Sequence, residues 1–315
     1  MIDRRPLTNL SRRQFCALGV GTVVAARGIA VRAERPQPNP APFRLNYIVA
    51  SPMYGTVPLA TVLKELKETG ADTIDIWPRP HADHREQIEQ MGLEAAQRLL
   101  EEHGVRLGAC TRYDLGPNRI ADEIPFVKQL GGKLLVCGAT PLRKGTVKEQ
   151  VRCFVDGMNE HVERAAEHGI TIGIENHSNT VLHTPDSVRY FAEFATSPNL
   201  GLAMAPYHLP QEPEVISQLI EDLADKLVLF QAWEHGLGCT EKLPKEQELM
   251  QLPGRGTLDF KPLVKALKQV NYQGWTEIFM HPVPRGMAIR ETPAAVTSEI
   301  NAARNYLDRC VAEAA

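Results

Sequence analysis

Short runs of β-branched and apolar residues alternate with longer segments of helical period from residue 43 onward, and the alternation repeats eight times. The predicted strands are 45–50, 73–77, 106–110, 133–137, 171–175, 200–205, 227–232 and 276–280. The predicted helices are 59–69, 92–103, 121–130, 147–168, 184–194, 214–226, 260–270 and 293–311. An alternation of this kind builds a parallel sheet with helical crossovers, so it predicts an α/β fold.

A β–α repeat without interruption either closes into an eight-stranded barrel or forms an open, doubly wound sheet. The body after residue 33 has about 280 residues, close to the roughly 250 of a typical barrel. No Gly-x-Gly-x-x-Gly motif follows the first predicted strand, which leaves a dinucleotide-binding sheet without support. We therefore predict a single (β/α)8 TIM barrel over residues 44–312, with its chemistry at the carboxyl ends of the strands.

The N-terminal segment resembles a twin-arginine export signal. Arg12 and Arg13 are followed by Phe15, then by a weakly apolar run over residues 17–31, and Ala33 ends a stretch that a signal peptidase would read. We predict a signal peptide over residues 1–33 and an extended Pro-rich linker over residues 34–43. The expected partner is the twin-arginine export machinery, and the expected location is periplasmic or otherwise exported, with no membrane attachment after signal removal.

Charge and composition limit the kinds of molecule that the protein is expected to bind. The net charge is -3, and residues 1–33 hold six basic residues and one acidic residue, so the remaining body is more acidic still. An acidic body lacks the electrostatic footprint of nucleic-acid binding. The six cysteines are scattered and show no disulfide or thiolate-metal spacing. The expected partner is a small molecule.

Polar side chains follow the last four predicted strands. Glu175 ends the fifth, His208 follows the sixth, and His281 follows the eighth. After the seventh, Gln231, Trp233 and His235 share one side by period-2 alternation. Imidazole and carboxylate donors suit Zn, Mn, Fe or Co, so these histidines and Glu175 are candidates for a divalent metal site. The alternative is a set of rim histidines bound only to backbone and water.

A mixture of polar and aromatic groups at a barrel mouth is typical of a carbohydrate site. Trp77 after the second strand can stack on a sugar face, and Arg112 after the third can donate paired hydrogen bonds to a polyol. Glu277 lies one layer deeper and is interpreted as a paired core acid. The predicted carbohydrate-binding residues are Trp77, Arg112, His177, Gln231, Trp233, Glu234, His235 and Lys245.

Five segments of the chain are similar to the xylose isomerase-like TIM barrel superfamily, the sugar phosphate isomerase/epimerase group. They are residues 70–76, 174–177, His208, 252–260 and 272–275, and the resemblance extends from about residue 45 to residue 307. It implies one divalent metal held by a Glu, an Asp, a His and a second Glu on strands five to eight, with the two Glu moving the proton. Here Glu175 is retained, whereas Ala205, Gln231 and Phe279 replace the other three.

These replacements predict a metal site moved outward onto Glu175, His208, Gln231 and His281, or a barrel without metal. The resemblance then implies an exported sugar isomerase/epimerase that removes a proton next to a carbonyl, with Glu175, His281 and His208 as catalytic residues. A keto-sugar lyase shares that first step, and a non-catalytic carbohydrate-binding barrel is the alternative of a different class. An endonuclease of the same superfamily is opposed by the acidic body and by the loss of carboxylates.

Overall fold

A computed structural model of the chain describes residues 42–235, 241 and 243–314. Eight parallel strands close into a barrel in their order along the chain. They are β1 (Asn46–Ala50), β2 (Thr73–Ile76), β3 (Arg106–Thr111), β4 (Leu134–Gly138), β5 (Thr171–Glu175), β6 (Leu200–Met204), β7 (Leu227–Ala232) and β8 (Trp275–Ile278). The predicted (β/α)8 barrel is confirmed.

The helices cover the outside of the barrel. They are α1 (Leu59–Glu68), α2 (His84–Met91), α3 (Leu93–His103), α4 (Gly116–Arg119), α5 (Ile124–Gln129), α6 (Val147–Ala166), α7 (Pro185–Phe194), α8 (Pro213–Leu223), α9 (Phe260–Gln269) and α10 (Pro293–Glu313). Short 3-10 turns include Pro206–His208 after β6 and Lys245–Gln251 after β7. No helix in the described part of the chain is long and apolar enough to cross a membrane.

The strands of the barrel are buried on both faces, as in other parallel sheets covered by helices. Every residue of β6 is buried, which a strand with one solvated face does not show. One side of the sheet fills the barrel interior with a small cluster that includes Ile48 and Leu229, and the other side packs against the helices. Thr146 and Thr184 cap α6 and α7 by accepting backbone N–H bonds, which fixes where these helices begin.

The structure adds two helices that were not predicted: the eight-residue α2 between β2 and α3, and the short α4 between β3 and α5. Strand β8 ends at Ile278, where its pairing with β1 and β7 ends, so Phe279 to His281 continue beyond the ladder. The predicted signal peptide and all but the last two residues of the predicted linker lie outside the described residues, and their boundaries stay predictions.

Candidate metal centre and active site

Three side chains at the carboxyl ends of β5 and β6 form a compact donor cluster. Glu175 is the last residue of β5, His177 follows it by two positions, and His208 ends the 3-10 turn after β6. One ligand atom from each lies within 4.8 Å of the others. The Nε2 atom of His208 is 4.0 Å from Oε1 of Glu175, and the two imidazole rings are 3.9 Å apart between centroids.

Hydrogen bonds fix the geometry of this Glu175–His177–His208 cluster. Asn176 joins the ends of β5 and β6, because its Nδ2 donates to the Ala205 carbonyl at 3.0 Å and its Oδ1 accepts from the Ala205 N–H at 2.8 Å. His177 Nδ1 lies 2.6 Å from the Ser178 carbonyl, and the Ser178 hydroxyl lies 3.3 Å from His208 Nδ1. These contacts orient each ring so that its other nitrogen faces the cluster.

The donor set suits a divalent transition metal. His208 Nε2 is buried and has no hydrogen-bond partner in the described structure, which is costly unless a ligand occupies it. Burial lowers the pKa of His208 well below its usual value, so its ring is neutral and able to coordinate. Burial raises the pKa of Glu175 to about 6, against smaller lowering effects from His177, Tyr113 and Arg285.

A second acidic group lies below the cluster, inside the barrel. Glu277 is fully buried and interacts with Asp75, while Gln231 Nε2 donates to Oε2 of Glu277 at 3.0 Å. Burial first, and then the Asp75 charge, raise the pKa of Glu277 well above its usual value. Asp75 also accepts from Trp77 and from Thr111, both at 2.6 Å. Glu277 is thus the paired core acid that its position predicts.

The cluster opens into two adjoining cavities at the barrel mouth. One of about 450 Å³ is lined by His208 and Glu248, and the other, of about 300 Å³, by Tyr113 and Glu175. His177, His281 and Arg285 line both cavities. A ligand of monosaccharide size fits such a space.

The structure groups a different set of candidate ligands from the predicted one. His177 takes the place expected for Gln231 and His281. Gln231 points down to Glu277, because β7 carries it into the barrel interior. His281 stacks on His81 with ring centroids 4.9 Å apart, and the Gln251 side chain bonds both its backbone N–H and its carbonyl. Burial and the neighbouring His81 and Arg285 lower the pKa of His281 well below its usual value.

The predicted sugar-stacking residues lie under the cavities. Trp77 is fully buried, stacks on Phe279 at 4.8 Å and donates its N–H to Asp75. Trp233 is also fully buried and stacks on Tyr207 with centroids 3.8 Å apart, and it is Tyr207 that reaches the cavity wall. The two tryptophans therefore form the floor that supports the cavity-lining rings.

The charged residues predicted to bind carbohydrate already have protein partners. Arg112 donates to both oxygens of Asp114 at 2.9 and 2.8 Å and pairs with the buried Glu123. Lys245 pairs with Glu248 at 2.6 Å and donates to the Val283 carbonyl at 2.9 Å. These bonds explain why neither cation lines the two mouth cavities.

Glu234 and His235 follow β7. Glu234 is buried and accepts the Leu258 backbone N–H at 2.6 Å, and burial raises its pKa to about 7. It anchors the loop that runs from Gly254 to α9. The Nε2 atom of His235 has no hydrogen-bond partner among the described residues, and the backbone N–H of His235 donates to Gln211 Oε1 at 3.1 Å.

The loop on Glu234 yields a stability prediction. A Cβ on Gly256 would lie 2.3 Å from both the Glu234 carboxylate and the Met250 carbonyl, so Gly256→Ala is expected to lower the free energy of unfolding by about 1–3 kcal/mol. Gly157 in α6 has open space around it, and Gly157→Ala is expected to raise that free energy by about 0.5–1 kcal/mol. Urea unfolding measures both variants. If both substitutions changed the free energy of unfolding equally and in the same direction, the close approach of Gly256 to Glu234 and Met250 would be contradicted.

Tyr113 and Arg285 were not among the predicted site residues. Tyr113 follows β3, and its buried hydroxyl faces Glu175 and Gln231. Arg285 lies in the loop after β8. Both residues lie in loops, where no periodic sequence pattern marks a functional position. The only available signal was that each follows the end of a predicted strand.

The barrel and its mouth define the class of protein. The chain belongs to the family of xylose isomerase-like TIM barrels, whose family model matches residues 63–300. This bears out the resemblance that the sequence segments carry.

Individual relatives are more distant. An inosose dehydratase of Erwinia tasmaniensis is 28% identical over 179 residues, which cover 48% of this chain and 58% of that relative. The IOLI protein with a binding zinc atom superposes with a TM-score of 0.66 at 17% identity, over 85% of this chain and 99% of that one. The 3-keto-D-glucoside 4-epimerase YcjR from E. coli gives a TM-score of 0.61 at 17% identity, over 83% and 100%. At these identities the solved structures show the shared fold.

Proposed function

We propose that this protein is a metal-assisted enzyme that removes a proton next to the carbonyl of a carbohydrate-derived ketone and then expels a hydroxyl group as water. The observation that carries the proposal is the Glu175–His177–His208 cluster, with Glu175 and His208 buried, facing a cavity of monosaccharide size. The name of the inosose dehydratase relative supports the same chemistry.

Glu175, His177 and His208 would hold the divalent metal. When bound, the metal supplies a positive charge that polarises the substrate carbonyl and stabilises an enediolate. We keep Zn, Mn, Fe and Co as candidates, and the zinc in the IOLI structure supports the first of them.

The supply of acidic groups favours loss of water over epimerisation. Glu175 takes the proton from the carbon beside the carbonyl, the electron pair of that C–H bond forms a C=C bond, and the C–O bond on the next carbon breaks. Glu175 then returns its proton to the departing hydroxyl, which leaves as water. One carboxylate is enough for this sequence, because the same group takes up the proton and returns it.

Epimerisation is the second candidate. It needs an acid on the opposite face of the substrate, and Phe279 occupies the position of the second glutamate in the family pattern. Two carboxylates line the described mouth cavities. Glu175 is the base, and Glu248 is already paired with Lys245. His281 lines both cavities and is the remaining partner acid for that route, which the name of the YcjR neighbour supports.

The test is incubation of the metal-loaded protein with an inosose in D2O. We expect exchange of the proton beside the carbonyl, seen by NMR, together with the ultraviolet absorbance of a conjugated ketone. Glu175→Gln is expected to slow both by at least about 100-fold, whereas the matched Glu163→Gln on the exposed face of α6 leaves them unchanged. Exchange with an inverted centre and no absorbance would support the epimerase, and binding without exchange would support a carbohydrate-binding barrel.

We also propose that the protein is exported through the twin-arginine route. In the native host, we expect the mature protein in the periplasmic fraction and retention of an Arg12→Lys, Arg13→Lys variant in the cytoplasm. Arg27→Lys, in the same segment, is the control and should be exported. Equal distribution of the two variants would contradict the proposal.

A further inference from the structure

Arg285 is a cation at the barrel mouth with no hydrogen-bond or ion-pair partner among the described residues. Its side chain lines both mouth cavities, together with His177 and His281. No hydrogen bond or ion pair joins it to a residue within 42–235, 241 or 243–314. Its charge is nevertheless felt in the site, since it contributes to the lowered pKa values of His81 and His281 after burial.

The loop that carries Arg285 is held at both ends. On one side, the Val283 N–H donates to Glu248 at 2.8 Å, and the Val283 carbonyl accepts from Lys245 at 2.9 Å. On the other side, Ala288 bridges to Tyr54, and the Ile289 N–H donates to the Met53 carbonyl at 3.1 Å. These bonds place Arg285 above the cavities in a defined position.

Backbone contacts add to this attachment. Gly55 has φ +62, and a Cβ there would lie 2.4 Å from the Ala288 backbone nitrogen. The loop after β8 therefore packs directly on the turn after β1. Arginine held on such a support loses less freedom when it binds a ligand than an arginine on a free loop does.

The charges around Arg285 leave a place for an anion. Glu248 is the acid that lines the first cavity, and it is committed to Lys245 and to the Val283 N–H. Glu175 lines the second cavity and belongs to the donor cluster. The remaining polar lining of the two cavities includes His81, His177, His208 and His281.

We propose that Arg285 anchors an oxyanion of the substrate, a carboxylate or a phosphate, at the mouth of the barrel while the reacting carbons lie beside Glu175. The planar guanidinium donates two parallel hydrogen bonds, which match either group. This inference rests on the proposed function for the position of the reacting carbons, and it narrows the substrate class to carbohydrate-derived ketones that carry a carboxylate or a phosphate, of which a neutral inosose is a more weakly bound analogue.

The test compares three ligands of the same ring by isothermal titration calorimetry: D-glucuronate, D-glucose 6-phosphate and D-glucose. Titrations use the full chain, both metal-loaded and treated with chelator, so that anchoring by Arg285 is measured apart from the metal. We expect at least one anion to bind the chelator-treated protein at least about tenfold more tightly than glucose. The better of the two anions identifies the oxyanion as carboxylate or phosphate.

Variants decide whether Arg285 is responsible. Arg285→Gln is expected to abolish the preference, Arg285→Lys to retain part of it, and the exposed Arg98→Gln on α3 to retain all of it. Equal binding of all three ligands, absence of binding by either anion, or a preference that survives Arg285→Gln would overturn the inference. Proton exchange from inosose by the wild type tests the proposed function separately, so the two can fail independently.

Discussion

Replacing His208 with alanine is expected to lower the affinity for zinc by at least about 100-fold, since loss of even a supporting group around a metal ligand costs about 10–100-fold. The structure makes His208 one of three donors, with its Nε2 buried 4.0 Å from Glu175 and without another partner. His177→Ala is expected to act in the same way. Competition with a fluorescent chelator measures the affinity, and circular dichroism in chelator checks that each variant is folded.

His281→Ala is the matched control, because His281 is also a buried mouth histidine but stacks on His81 away from the donor cluster. We expect its zinc affinity to stay close to that of the wild type. If His281→Ala lost zinc affinity and His177→Ala did not, the ligand set predicted from the sequence would be supported. The Glu175–His177–His208 set would then be wrong.

The second large effect is expected at Glu277. Its carboxyl group keeps a proton in the folded protein, because it is buried beside Asp75 and its pKa lies well above the usual value. Glu277→Gln replaces the protonated acid with an amide of the same shape, which donates to Asp75 and accepts from Gln231. The variant is therefore expected to fold into the same barrel.

The sign of the pH effect follows from the protons bound in each state. In the unfolded chain Glu277 loses its proton above about pH 4.3, whereas the folded protein retains it, so the free energy of unfolding falls as pH rises above that value. The slope from this one group is about 1.4 kcal/mol per pH unit until the folded pKa is reached. Burial also raises the pKa of Asp75, to about 6, which acts in the same direction at lower pH.

We therefore expect Glu277→Gln to gain stability relative to the wild type as the pH rises from 5.5 to 7.5, by up to about 1.4 kcal/mol per pH unit. Urea unfolding in the presence of chelator at four pH values in that range measures the difference. Parallel stability curves for the wild type and Glu277→Gln would mean that Glu277 is ionised in the folded protein and that the Asp75–Glu277 pair does not share a proton.

Most of the fold follows from the sequence, because buried strands and capped helices leave strong local signals. The strands at Thr171–Glu175 and Leu227–Ala232 have exactly the predicted bounds, and helix α6 begins at the predicted residue after the Thr146 cap. Closure of the sheet followed from the count of β–α units and from the length of the chain. Tertiary packing did not need to override local preference at these positions.

The site was predicted in part, for an equally physical reason. Glu175 and His208 were identified because each follows an apolar strand at the barrel mouth. His281 was placed with them by extending the alternation of β8, but the strand ends at Ile278, three residues before His281, so the alternation does not fix where that side chain points. His177 was assigned to substrate because its position beside His208 depends on the Asn176–Ala205 bonds between two strands, which no local pattern reveals.

Anomalous diffraction from zinc-soaked crystals of the protein tests the central claim most directly. The account predicts one strong peak bounded by Glu175, His177 and His208, and its loss in His177→Ala crystals. A peak held instead by Gln231 and His281, or one that persists unchanged without His177, would contradict the account.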